Sequence, residues 1–169
     1  MPRLGGQSEA YLIRAIENYW DGTRQSGIME PIAYRMSTEE TAALARYYAS
    51  LSPTGARVSE DLAAVVRGQR IATDGLPEGG IPACSSCHKD NGDKGNKGNP
   101  QFPKLAGQSA AYLSGQLELW RKGLRDRSGY GAIMAVIAKR LNDAQVRDVS
   151  AFYASQPAGL HPESAVPIP

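Results

Sequence analysis

Three observations in the 169-residue sequence predict an all-α fold. Apolar residues recur at three- and four-residue spacing, capping-box patterns open further amphipathic runs, and no stretch alternates like a strand. Residues 8–21 carry Tyr11, Leu12, Ile16 and Tyr19 on one helical face. STEE at 37–40 is a capping box, opening a helix whose expected buried stripe is Leu44, Tyr47, Tyr48 and Leu51. LSPTGAR at 51–57 reads as a linker, and residues 59–72 form a helix burying Leu62, Val65 and Val66. Two loops follow, DGLPEGGIPA at 74–83 and the glycine-rich KDNGDKGNKGNP at 89–100. Residues 109–122 repeat the first pattern with Tyr112, Leu113, Leu117 and Trp120. Asn142 and Gln145 open the last helix, with Val146, Val149, Phe152 and Tyr153 inward. The proline-rich tail QPAGLHPESAVPIP is expected to lie extended on the surface.

The chain contains an internal repeat. Aligning Pro2 with Pro103 also aligns Gly6 with Gly107, Gln7 with Gln108, Tyr11 with Tyr112 and Arg24 with Arg125. After one change of offset, SGIMEPIAYRM matches GAIMAVIAKRL and ARYYAS matches SAFYAS, so Met29 pairs with Met134 and Arg35 with Arg140. A period of about a hundred residues means tandem units and not a short-repeat solenoid. The helix at 59–72 has no counterpart in the first unit.

Composition is that of a globular chain, and a formal net charge of +2 without a Lys/Arg block excludes a nucleic-acid binder. No apolar run is long enough to span a bilayer, so membrane association is expected only through partners. No signal peptide is visible in the sequence as written. Two cysteines three residues apart do not make a disulfide-stapled fold.

CSSCH at residues 84–88 has the spacing of a c-type haem attachment site. Cysteines three apart on a helical turn project from one face, where two sulfurs can meet one edge of a porphyrin. The adjoining His88 then swings under the iron as an axial ligand. Structural zinc is the first alternative, and it needs four ligands, whereas the only other histidine is His161 in the tail. A redox dithiol is the second, and it needs a strand before the motif and a helix after it, where this chain has loops. For the other face of the iron, Met134 is the candidate because Met29 recurs at its position while Met36 is replaced by Leu141. It is expected in a loop just before a helix. Core packing is the alternative for Met134, and His161 the alternative ligand. His/Met ligation closes the iron to substrates and leaves electron transfer.

CSSCH, FPKLAGQSAAYL, the Met134 segment and a terminal FYAS helix together resemble class I cytochrome c. The duplicated PxLxGQ segment resembles the tandem two-haem cytochromes of the c-four family. The resemblance implies a cytochrome c fold with one complete domain at 58–156, a linker at 52–57 and a tail at 157–169. Residues 1–51 correspond to the C-terminal half of a second cytochrome c-like domain without its own CxxCH. It implies one covalent haem c with iron on Cys84, Cys87, His88 and Met134, and a second haem only if an upstream CxxCH exists. It further implies that the Pro103 carbonyl receives the proximal imidazole N–H, and that Tyr112, Trp120, Ile133 and Ile137 wall the haem. Arg140 is a candidate for a haem propionate, with solvation at a helix end as the alternative. The implied role is electron transport in the respiratory chain of the periplasm, with oxidases, dehydrogenases or cytochrome complexes as partners. A haem subunit of a catalytic complex, a sulfur-compound or other dehydrogenase or a peroxidase, is the alternative. Lys89, Lys94, Lys97 and Lys104, with Asp90 and Asp93 among them, would steer acidic docking surfaces or simply solvate a loop.

Overall fold

The computed structural model describes residues 1–53, 61–88, 98–125 and 127–158. The sequence places a good N-cap before most of its helical runs, and the helices start where those caps stand. In the first unit Ser8 caps α1 (Glu9–Trp20), and Ser37 with Glu40 forms a full capping box on α3 (Thr38–Ser50). Between them lies the short α2 (Met29–Ala33). In the second unit Asp61 caps α4 (Leu62–Thr73), and Ser109 caps α5 (Ala110–Arg121). Ser128 caps α6 (Gly129–Arg140), and the Asn142–Gln145 box opens α7 (Asp143–Ser155). Two 3-10 turns, Pro77–Gly79 and Cys84–Ser86, sit in the long connection between α4 and α5. The only strand-like pairing among the described residues is a single bridge between Leu76 and Ile81.

The second unit is built on the crossing of α4 and α7. Gly68 permits it: a Cβ there would come to 2.0 Å from the Asp148 carbonyl oxygen. Beside the crossing, Val65, Val149 and Phe152 share one buried cluster, and Leu113 and Leu117 of α5 pack against it. Arg67 forks onto the buried Asp148 carboxylate at 2.7 and 2.9 Å, which pairs a charge that burial would otherwise penalise. Of the stripe expected on α4, Val65 is buried while Leu62 and Val66 are exposed.

The first unit lacks that crossing within the described residues, and this overturns one expectation. Leu44 and Tyr47 of α3 are 39% and 58% exposed, and Leu51 is also exposed. Their counterparts Val149 and Phe152 are 5% and 0% exposed because α4 covers them. The sequence pattern marks an apolar face; whether it is buried depends on a covering helix.

What the repeated PxLxGQ segment does is visible in the backbone. Each copy turns through a glycine with φ of 72°, Gly6 and Gly107. Gly6 donates its N–H to the Tyr48 carbonyl, and Gly107 donates to that of Tyr153, at 3.0 and 2.9 Å. The glutamines that follow reach across to the other unit. Gln108 accepts from the Arg3 N–H and donates to the Arg3 carbonyl, at 2.9 and 3.0 Å. Gln7 does the same with Lys104, at 2.8 and 3.0 Å. Both glutamines are buried. Arg3 and Lys104 occupy equivalent repeat positions, so the contact is self-complementary like an isologous dimer interface.

Candidate functional site

The turn at Cys84–Ser86 begins the site. Pro82 and Ala83 lead in from the loop, and the Cys84 carbonyl accepts the N–H groups of Cys87 and His88 at 3.3 and 2.9 Å. This tight winding carries both thiols and the imidazole to a single cavity. Cys84 also approaches the Ile71 carbonyl at 3.8 Å, and burial pushes its thiol pKa up to about 11. It is therefore a thiol at neutral pH, unlike the acidic cysteine of a redox dithiol. Among the described residues no group of three or more His, Cys, Asp or Glu side chains is placed to hold a metal ion, so the zinc alternative finds no ligand set.

His88 Nδ1 lies 2.9 Å from the Pro103 carbonyl oxygen. A carbonyl only accepts, so Nδ1 carries the proton and Nε2 keeps a lone pair for a metal. Burial lowers the pKa of this imidazole, with the Pro103 bond acting in the opposite sense. Phe102 stands 6.0 Å from the imidazole, ring centre to ring centre, and packs edge-on against Tyr130.

Met134 lines the same cavity, but from the body of α6 and not from a preceding loop. Ser128 explains the difference: its hydroxyl accepts the Gly131 N–H and starts the helix ahead of the methionine. Trp120, Ile133, Ile137 and Pro103 are also in the lining. Tyr112 is set back from it, bonded through its hydroxyl to Arg24 at 2.8 Å. Arg140 lies outside the cavity and donates to the Gly80 carbonyl at 2.6 Å. There, at the C-terminal end of α6, it satisfies a loop carbonyl. His161, Lys89, Lys94, Lys97, Asp90 and Asp93 lie outside the described residues.

Sequence reasoning missed that the first unit helps to build this cavity. Tyr11, Arg14, Asn18 and Arg24 line it alongside Arg125 of the second unit. Arg24 stacks 4.6 Å from the Tyr19 ring and Arg125 stacks 4.1 Å from Trp120, positions equivalent in the repeat. The recurrence of Arg24 as Arg125 was the available signal. Both guanidiniums approach Tyr11, whose hydroxyl is held below its ordinary pKa because their charges outweigh its burial.

The donor set suits a c-type haem. Two thiols three residues apart, an imidazole with Nε2 unprotonated and a thioether share a largely apolar cavity. Two buried N–H groups, Trp120 Nε1 and Arg14 Nε, have no acceptor among the described residues, as expected where a ligand's carboxylates belong.

Comparison with known proteins agrees. The cytochrome c family model matches residues 65–156. A thiosulfate dehydrogenase electron acceptor from Thiomonas intermedia is 38% identical over 92% of this chain and 70% of its own length. Cytochrome c4 of Pseudomonas aeruginosa is 31% identical over 95% of this chain and 76% of its own. The solved structure of reduced cytochrome c4 from Pseudomonas stutzeri superposes with a TM-score of 0.81 at 29% identity, covering 92% of this chain and 84% of that one. With an all-α cytochrome c fold and a covalently bound haem c, the chain belongs to the class I cytochromes c of the tandem cytochrome c4 type.

Proposed function

We propose that this electron-transfer protein holds its haem by thioether bonds to Cys84 and Cys87, with His88 and Met134 as axial ligands, and passes single electrons between periplasmic redox proteins. The observation that carries the reading is the gathering of both thiols, the Pro103-fixed imidazole and the Met134 thioether on one cavity. Haem iron supplies a reversible one-electron couple when bound. The protein's own residues do the rest. Pro103 fixes the orientation of His88, and an acceptor on the far ring nitrogen raises the basicity of a ligating imidazole. Ile137, Trp120 and Phe102 exclude water. Ile133 and Tyr130 line the cavity yet are exposed, as are Cys87 and Val136 nearby, so the attachment edge and an apolar rim face a docking partner. In this reading residues 58–156 are the complete haem domain, 52–57 the linker and 157–169 a tail, and residues 1–51 are a partial domain packed against it.

The electron donor we propose is a thiosulfate dehydrogenase, on the strength of the Thiomonas relative's name. Anaerobic stopped-flow mixing separates carrier from catalyst. Oxidised protein should stay oxidised with thiosulfate alone, become reduced when a thiosulfate dehydrogenase is added, and not bind carbon monoxide within seconds once reduced. Reduction by thiosulfate without the enzyme, or rapid carbon monoxide binding, would assign the chain to a catalytic complex.

A further inference from the structure

The loop that carries Pro103 is gripped from outside its own unit. Residues 98–104 form neither helix nor strand, yet the Pro103 carbonyl lies 2.9 Å from His88 Nδ1, a bond that requires it to stay in place. Within the loop, Asn99 makes a turn, accepting the Phe102 N–H on its carbonyl and the Gln101 N–H on its side chain, each at 2.9 Å. The first unit adds a second set of bonds. Ser8 Oγ donates to the Pro100 carbonyl at 2.6 Å, and Arg14 donates through Nη2 to the Gln101 carbonyl. Gln7, only 7% exposed, accepts the Lys104 N–H at 2.8 Å and donates to the Lys104 carbonyl at 3.0 Å. These bonds pin the chain on both sides of Pro103, and all of them come from residues 7–14. Arg14 also stacks on Tyr130, whose ring meets Phe102 edge-on, and Phe102 stands beside the His88 imidazole.

We propose that Gln7, Ser8 and Arg14 of the first unit are positioning residues for the axial imidazole: by clamping residues 100–104 they hold the Pro103 carbonyl against His88, and so help to set the reduction potential of the second unit's haem. The inference rests on the haem reading above and goes beyond it, because the attachment motif and both axial ligands lie in the second unit. A loop bonded to a neighbour on both flanks opens less often, since each opening must break those bonds. The carbonyl raises the basicity of the imidazole only while it stays within hydrogen-bond reach. A more basic imidazole favours ferric iron, so a loosened clamp raises the potential. The repeat supplies an internal reference. Gln108 makes the mirror-image pair of bonds to Arg3, at 2.9 and 3.0 Å, across the same interface but not to residues 100–104. The position equivalent to Arg14 is Gly115, so that part of the grip has no counterpart in the second unit.

The test uses the 169-residue holoprotein with Gln7→Met and Gln108→Met, two neutral replacements of similar length that each delete one pair of interface bonds. Proton NMR of the reduced protein reads solvent exchange of the His88 Nδ1–H, and a redox titration reads the potential. Gln7→Met should speed the exchange by roughly tenfold, because local opening no longer has to break two hydrogen bonds. It should also raise the potential, whereas Gln108→Met should match the parent in both readouts. Exchange and potential both unchanged in Gln7→Met would overturn the proposal. Equal changes in the two variants would overturn it as well, since they would reflect a loosened interface and not the clamp on the loop. Should Gln7→Met fail to fold, Ser8→Asp keeps an N-cap on α1 and deletes the donor to Pro100, and the exchange must quicken for the proposal to stand. A parent protein without haem would instead refute the haem reading itself.

Discussion

Replacing Cys84 and Cys87 together with alanine should yield a protein from which acid–acetone extracts all haem, whereas the parent should release none. Each thiol sits on the tight turn whose carbonyl, that of Cys84, is already engaged by Cys87 and His88. The turn itself should therefore survive the loss of sulfur. What changes is that the cofactor becomes dissociable. The native state is stabilised by whatever fills the cavity, and about 4 kcal/mol accompanies a ligand present at roughly 1,000 times its Kd. Without the tether this contribution depends on free haem, so the thermal midpoint of the double variant should fall and become dependent on haem concentration. Single variants should keep one thioether and show a pyridine haemochrome band displaced from that of the parent. Haem that remains inextractable in the double variant would remove the attachment assignment.

Met134→Ala should have the second large effect, on the iron and not on the tether. The side chain lines the cavity from α6. Cα geometry should be preserved, since alanine is the better helix former. The open coordination position should take up carbon monoxide in the reduced state and cyanide in the oxidised state. The methionine–iron charge-transfer band in the red should disappear. Loss of the thioether should also lower the potential, within the span of about 0.8 V over which axial ligands set haem couples. A variant that keeps the band and excludes carbon monoxide would make Met134 a packing residue.

Much of this site was legible because its chemistry is local. The Cys84–His88 spacing, the Ser37 and Asn142 capping boxes and the helix starts at Ser8 and Ser109 are all short-range signals that tertiary structure leaves alone. Burial was less legible. Leu44 and Tyr47 carry the same pattern as Val149 and Phe152, yet only the second pair has α4 to cover it. Helix boundaries also escaped: Ser128 draws α6 several residues ahead of Met134, while Met29 opens α2 directly. The repeat identified equivalent positions but not partners across the interface. Equivalence of Gln7 with Gln108 does not reveal that each binds the other unit's backbone, nor that Arg24 enters the second unit's cavity. Arg140 is a recurring arginine whose bond to the Gly80 carbonyl the repeat did not indicate.

One measurement bears on the central assignment without any substitution. X-ray absorption at the iron edge of the oxidised, purified protein reports the atoms bound to the metal. The account predicts six-coordinate iron with a single sulfur neighbour among nitrogens, the sulfur of Met134. Five-coordinate iron, or six-coordinate iron with no sulfur bound, would contradict it.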